Sequence, residues 1–187
     1  MKNTIIIVEG PQGVGKTTFT NYLREKMQST DLYRLAGIKD KTETGLEKNE
    51  QRYNNLLEYI KNCNNINMIF DRIFFSEEVY SRLGYKPYSF SETYKQLLEK
   101  LDNLHYDIYL VVLYLEDISE YEKRIVRDKH QYQQFNVESS IQQQEEYLKL
   151  ADEVEKETKN IRVIKFNNNT NPNFEEEMQR CFGELFE

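Results

Sequence analysis

The chain has 187 residues, 39% of them hydrophobic and 30% charged, with a formal net charge of −7 at pH 7. This composition supports a folded domain with a real core and excludes disorder, while the acidic balance argues against a long nucleic acid as partner, which needs a basic surface. No apolar run reaches membrane-spanning length and only four consecutive apolar residues precede Glu9, too few for a secretion signal, so no membrane association and a cytoplasmic location are expected.

Residues 4–8 read as a buried strand. Gly10-Pro11-Gln12-Gly13-Val14-Gly15-Lys16-Thr17 follows and fits G-x-x-x-x-G-K-[ST], with a helix expected over 17–28. Strand, glycine loop and helix is the context a phosphate-binding P-loop requires. Backbone N–H groups of the loop and of the helix start carry partial positive charge, so Gly10, Gln12, Gly13, Val14, Gly15, Lys16, Thr17 and Thr18 are assigned to the phosphates of a nucleotide. Lys16 adds a full charge near the β and γ phosphates, and the Thr17 hydroxyl can ligate Mg²⁺. A plain turn with an incidental lysine would not need three of the chain's seven glycines here.

Residues 32–36 read as a short second strand, and 47–62 as a helix with Tyr53, Leu56, Leu57 and Ile60 on one face. Strand 66–70 delivers Asp71 to its carboxyl end, where a carboxylate can face the P-loop and hold Mg²⁺. Taken alone, Asp71 serves as well as a cap for the helix that follows. Helices are expected at 76–83, ended by Gly84-Tyr85-Lys86-Pro87, and at 91–104, capped by Ser89 or Ser91. Residues 107–115 form the most apolar strand, suited to the interior of a parallel sheet, with Glu116 at its end. Helix 118–127, a polar irregular stretch at 129–136, a long helix 137–158 carrying Ile141, Tyr147, Leu148, Ala151 and Val154, strand 161–166, an Asn-rich loop and a closing helix 174–186 complete the chain. The alternation predicts a three-layer α/β domain with the P-loop, Asp71 and Glu116 at one sheet edge. Cys63 and Cys181 fit no metal or redox spacing, and His105 and His130 are too few for a histidine metal site.

Glu9-Gly10-Pro11-Gln12-Gly13-Val14-Gly15-Lys16-Thr17-Thr18 resembles the E-G-x-x-G-x-G-K-T-T start of thymidylate kinases. Asp71-Arg72-Ile73-Phe74-Phe75-Ser76-Glu77-Glu78-Val79-Tyr80 is similar to their D-R-Y-x-x-S-x-x-A-Y segment, and the related deoxynucleoside kinases carry a comparable acid-arginine pair. Glu122-Lys123-Arg124-Ile125-Val126-Arg127-Asp128-Lys129 resembles the arginine-bearing lid of both families. The resemblance spans the chain. It implies a P-loop NTPase fold, a five-stranded parallel sheet with helices on both faces, built by residues 1–187 as one kinase domain with a lid at 124–136. It also implies ATP as donor, Mg²⁺ at Thr17 and Asp71, and Arg72 on the transferring or acceptor phosphate, a role its planar fork suits. Relatives are often dimers, and a homodimer is compatible with this reading.

The chain departs from the pattern in two places. Many thymidylate kinases have an acid where Gln12 stands, and an Arg-Glu-Pro where this chain has Arg34-Leu35-Ala36-Gly37-Ile38-Lys39-Asp40. Deoxynucleoside kinases place a general-base Glu near that strand; Asp40 is one candidate for its place, and Lys39 one for meeting an acceptor phosphate.

Arg124 and Arg127 share a helix face, and either pair with Glu120, Glu122 and Asp128 on a solvated surface or close over the phosphates as a lid. Eight aromatic residues lie between Phe70 and Tyr94, of which Phe75, Tyr80 and Tyr85 are assigned to stacking on an acceptor. The expected catalytic set is Lys16, Asp71, Arg72, Arg124 and Arg127. The expected activity is phosphoryl transfer from ATP to dTMP or a related nucleoside monophosphate, with transfer to the 5′-hydroxyl of a deoxynucleoside as the alternative. More distant readings are a polynucleotide-end kinase, which the net charge disfavours, and a nucleotide switch, for which the guanine-reading Asn-Lys-x-Asp is missing. A motor ATPase normally needs a longer chain.

Overall fold

Three consecutive isoleucines and a valine leave the first strand no face for water, and the fold follows from covering both sides of it. The computed structural model describes residues 3–38, 40, 42–63, 65–127 and 136–186. In chain order they form β1 (Thr4–Glu9), α1 (Lys16–Lys26), β2 (Thr30–Arg34), α2 (Thr44–Asn62), β3 (Asn67–Asp71), α3 (Phe74–Arg82), α4 (Ser91–Asp102), β4 (Asp107–Tyr114), α5 (Ser119–Arg127), α6 (Val137–Glu157), β5 (Ile161–Asn167) and α7 (Phe174–Phe182), which tightens into a 3-10 turn at Gly183–Leu185. The strands make one five-stranded parallel sheet in the order β2-β3-β1-β4-β5. None of the described helices is long and apolar enough to cross a membrane.

Successive side chains of a strand point to opposite faces, so β1 feeds two cores. Ile5 and Ile7 join Ile108, Leu110 and Val112 of β4 under α2, α3, α4 and α6. Ile6 and Val8 join Val111 and Leu113 on the other face, where Phe19 of α1 meets Phe166 of β5 and Phe182 of α7 edge-on at 5.1 and 5.9 Å. Tyr53, Leu57 and Ile60 of α2 are buried, with Leu56 packed at the margin, as its periodicity predicts. Each such side chain contributes about 1.5–3 kcal/mol when fully buried.

The element boundaries differ from expectation for identifiable reasons. β2 lies at Thr30–Arg34, not 32–36, because its partner β3 ends at Asp71, directly opposite Arg34. Leu35 and Ala36 have no strand to pair with. α2 starts three residues early on a turn in which Asp40 accepts from the Thr42 N–H at 2.9 Å and from the Thr44 hydroxyl at 3.1 Å. Neither serine caps α4: Phe90 holds the N-cap position without a side-chain bond, and the Ser91 hydroxyl donates instead to Glu78 at 3.0 Å. Asp71 does not cap α3 either, whose N-cap position is Ile73.

The P-loop leaves β1 by crossing close over β4. Gly10 has φ 145°, and a Cβ there would lie 2.7 Å from the Leu113 carbonyl oxygen, a backbone atom that cannot swing aside. Gly10→Ala is therefore expected to destabilise the fold by about 1–3 kcal/mol, through strain and overpacking together. Urea midpoints of the variant and wild type check this.

Candidate active site

The ends of β1, β2 and β3 and the start of α1 converge on one cavity of about 630 Å³. It is lined by Gln12, Gly13, Gly15, Lys16, Thr17 and Thr18 of the P-loop, residues 34–37 after β2, Asp71 and Arg72 after β3, and Arg127 of α5. Lys16 is buried, and its ammonium donates to the Gly10 carbonyl at 2.9 Å and the Pro11 carbonyl at 2.7 Å. Burial, then the nearby Arg72, pull its pKa well below the usual lysine value against the opposing charges of Asp71 and Glu9. The Thr17 hydroxyl donates to Asp71 Oδ2 at 3.2 Å. These two hard oxygen donors at the cavity wall fit Mg²⁺, which keeps most of its shell as water and phosphate. Among the described residues no cluster of three or more His, Cys, Asp or Glu exists to cage an ion without such help.

Arg72 takes up a left-handed backbone, φ 72°, that a non-glycine residue adopts at a cost of roughly 1–3 kcal/mol. Its N–H is held by the Val8 carbonyl at 3.1 Å and its guanidinium donates to the Tyr80 hydroxyl at 3.0 Å. The next peptide N–H, of Ile73, donates to Glu9 Oε1 at 2.7 Å, while Ser76 donates to Glu9 Oε2 at 2.6 Å and receives a bond from the Tyr147 hydroxyl at 3.0 Å.

A second cavity of about 600 Å³ adjoins the first across Gly15, Thr18 and Arg127, and continues between α5 and the loop before α7. Arg124 and Arg127 do not do the same work there. Arg124 is held against the P-loop backbone, donating to the Val14 carbonyl at 2.7 Å and to the Asn168 carbonyl at 2.6 Å, with Glu120 at 2.9 Å. It lines only the second cavity, whereas Arg127 lines both. Glu120 is a partner of Arg124, but both side chains are largely buried rather than on a solvated face. Residues 128–135 of the expected lid, His130 included, lie outside the described residues.

The acceptor assignments separate. Tyr80 sits on Arg72, and Tyr85 packs against Tyr80 with ring centroids 5.8 Å apart and is 47% exposed. Phe75 is a correction: it has no exposed surface, stacks on Phe74 at 4.7 Å and meets Tyr94 edge-on, so it belongs to the core. Asp40 is a second correction. Lys48, Thr42 and Thr44 hold its carboxylate well below the usual pKa, and it organises the turn into α2 rather than lining the cavity as a base. Lys39 lies outside the described residues.

Four further residues contribute that the sequence pattern does not point to. Arg34 lines the first cavity with its Nε 3.6 Å from Asp71 Oδ2, a position that follows only from the β2–β3 register. Glu9 stands in the motif that opens the P-loop, where nothing local assigns it a role. Gln143 of α6 accepts from the Gln12 N–H at 3.2 Å, and Ser140 donates to the Gln12 carbonyl at 3.2 Å; polar residues on a helix read as a wet face, and here they dock the P-loop.

Comparison with known proteins agrees with this fold. The chain belongs to the ATPase family associated with various cellular activities (AAA), whose family model matches residues 6–137. No curated protein matches it in sequence. Among solved structures it is similar to deoxyadenosine kinase from M. mycoides with the products dCMP and a flexible dCDP bound (13% identity, TM-score 0.63, covering 97% of this chain and 98% of that one). The same enzyme with bound dATP gives 13% identity and a TM-score of 0.66, over 98% and 100% of the two chains. Thymidylate kinase from Candida albicans gives 16% identity and a TM-score of 0.57, over 100% and 94%. The three-layer P-loop fold expected from the sequence is thus shared with both kinds of protein.

Glu9 supplies a pH test of the buried network. Burial raises its carboxyl from 4.5 to about 7, against hydrogen bonds from Ser76 and Ile73 and the charges of Arg72 and Lys16. The folded chain then holds this proton more tightly than the unfolded chain, so its contribution to stability is complete below pH 4.5 and is lost as pH rises through about 7. Glu9→Gln is expected to flatten the stability curve over that window relative to wild type, measured as urea midpoints at closely spaced pH.

Proposed function

We propose that this member of the AAA family of ATPases transfers the γ-phosphoryl group of ATP to the phosphate of dTMP or a related nucleoside monophosphate. The observation that carries the reading is the charge lining the first cavity. Lys16, Arg34, Arg72 and Arg127 face it, and Asp71 is the one carboxylate among its lining residues, already engaged by Thr17 and Arg34. A monophosphate acceptor needs cations and no base, because its own oxygen is the nucleophile. A nucleoside acceptor needs a base at its hydroxyl. The likeness to deoxyadenosine kinase favours that second reading, and Asp71 would then have to be the base.

The residues divide the work as follows. The P-loop N–H groups and Lys16 take the donor's phosphates, Lys16 exchanging its two carbonyl bonds for phosphate oxygens. The second cavity, walled by Arg124, Asn168 and Phe174, takes the donor's sugar and base. Arg34 and Arg72 hold the acceptor phosphate in line, and Arg72 can do so with a two-pronged bond. An acceptor oxygen then forms a bond to the γ-phosphorus as the bond to the β–γ bridging oxygen breaks, and ADP leaves. Arg127, at the junction of the cavities, is placed to neutralise the equatorial oxygens of the moving group. Mg²⁺ on Thr17 and Asp71 would supply further charge neutralisation between the phosphates. Cytoplasmic location and a homodimer remain part of the proposal.

The direct test is incubation with ATP and Mg²⁺ against a panel of nucleosides and monophosphates, with products identified by mass. A diphosphate product supports the reading; a monophosphate made from a nucleoside replaces it with the second.

Two variant sets sharpen it. Lys16→Ala and Asp71→Asn are expected to lower turnover by roughly 100-fold or more with unchanged circular dichroism, since the first removes the cation facing the donor phosphates and the second the carboxylate that would hold Mg²⁺. Arg34→Ala is expected to raise KM for the monophosphate by about 10–100-fold while leaving KM for ATP near wild type, the loss of a charged hydrogen bond of about 1.5–3 kcal/mol. Arg127→Ala is expected to lower kcat more than ATP affinity. Steady-state kinetics and equilibrium ATP binding separate these effects.

A further inference from the structure

We infer that Glu9 is a positioning residue for the phosphate-binding turn: its buried carboxylate holds Arg72 in its left-handed backbone and so aims both Arg72 and Asp71 at the cavity. Glu9 ends β1, and the turn it grips ends β3, the strand beside it. The peptide bonds on both sides of Arg72 are fixed, one by the Val8 carbonyl and the other by Glu9 Oε1 through the Ile73 N–H. A strained residue persists only where its surroundings over-determine it, and these two bonds do so here. The second carboxylate oxygen is taken by Ser76, which Tyr147 of α6 holds in turn, so Glu9 cannot rotate away. The same Ser76 is one turn before Tyr80, the partner of the Arg72 guanidinium. Backbone and side chain of Arg72 are thus set from one point.

Glu9 has no exposed surface, and an apolar side chain of similar size would avoid the cost of burying a carboxylate but leave the Ile73 N–H and the Ser76 hydroxyl without their acceptor. What an apolar side chain cannot do is accept from Ile73 and Ser76 together. An amide cannot do it either: Gln offers one acceptor oxygen where two are used, and turns an N–H group toward a serine already receiving a bond.

The proposal rests on the phosphoryl-transfer reading for its kinetic consequence but not for its structural one, and the experiment keeps them apart. In Glu9→Ala and Glu9→Gln, amide hydrogen exchange is measured for residues 71–76, beside melting temperature and steady-state kinetics. Glu9→Ala is expected to speed exchange at Ile73 at least about tenfold, since a buried N–H loses its acceptor. Glu9→Gln, which keeps one of the two acceptors, is expected to lower the melting temperature by only about 2–4 °C and keep KM for ATP, while kcat falls on the order of 100-fold, the scale of a misaimed reacting group. A purely structural role would move stability and activity together. Wild-type exchange at Ile73 in a folded Glu9→Ala, or wild-type kcat in Glu9→Gln, overturns the proposal; if Glu9→Ala does not fold, the Gln variant decides alone. A wild-type chain that forms no phosphorylated product refutes the kinase reading and leaves the exchange result to judge Glu9.

Discussion

The hydrogen-bonded register that sets Val8 beside Asp71 is the constraint on which the rest of this site depends. Parallel strands end at the same edge. When the strand feeding the P-loop and the strand carrying the acid are direct neighbours, Thr17 and Asp71 meet without any loop having to reach. The same register carries outward through β3 to β2 and sets Arg34 opposite Asp71. Three chain segments separated by tens of residues thus deliver their polar ends to one place because their apolar interiors pair in only one way. A one-residue slip would turn the isoleucines of β1 from one core to the other.

Much of this was legible in the residues. The run of isoleucines, the glycine spacing and the acid closing an apolar strand each have a local physical meaning, and they led to Lys16, Thr17, Asp71 and Arg72. What failed were readings that needed a side chain's direction. Phe75 and Tyr80 both belong to α3, five residues apart, yet one is in the core and the other at the site. Five positions turn an α-helix by roughly 140°, so the two side chains leave different faces of α3, and which face meets the core is set by how the helix packs on the sheet. Asp40 has the right chemistry for a base and the wrong neighbours, since Thr42, Thr44 and Lys48 claim it.

At α6 polar residues stand where the core is expected. Ser140, Gln143 and Gln144 are buried on the side where a period of 3.6 would place apolar residues. Each is satisfied by the backbone of a neighbouring element: Gln12 for the first two, and both backbone groups of Leu115 for Gln144, with the Tyr121 hydroxyl as well. A buried polar side chain is tolerated when its bonds are made, and then it fixes position more sharply than an apolar contact can.

That anchoring gives the segment between residues 127 and 136 a common foundation at both ends. On one side Arg124 grips the Val14 carbonyl, and on the other Asn136 caps α6 by accepting from the Ser139 N–H, one residue ahead of the bond from Ser140 to Gln12. The chain therefore leaves and returns to the same loop of eight residues. A shape change in that loop on taking up a phosphate would therefore reach Arg124 of α5 and Ser140 of α6 together.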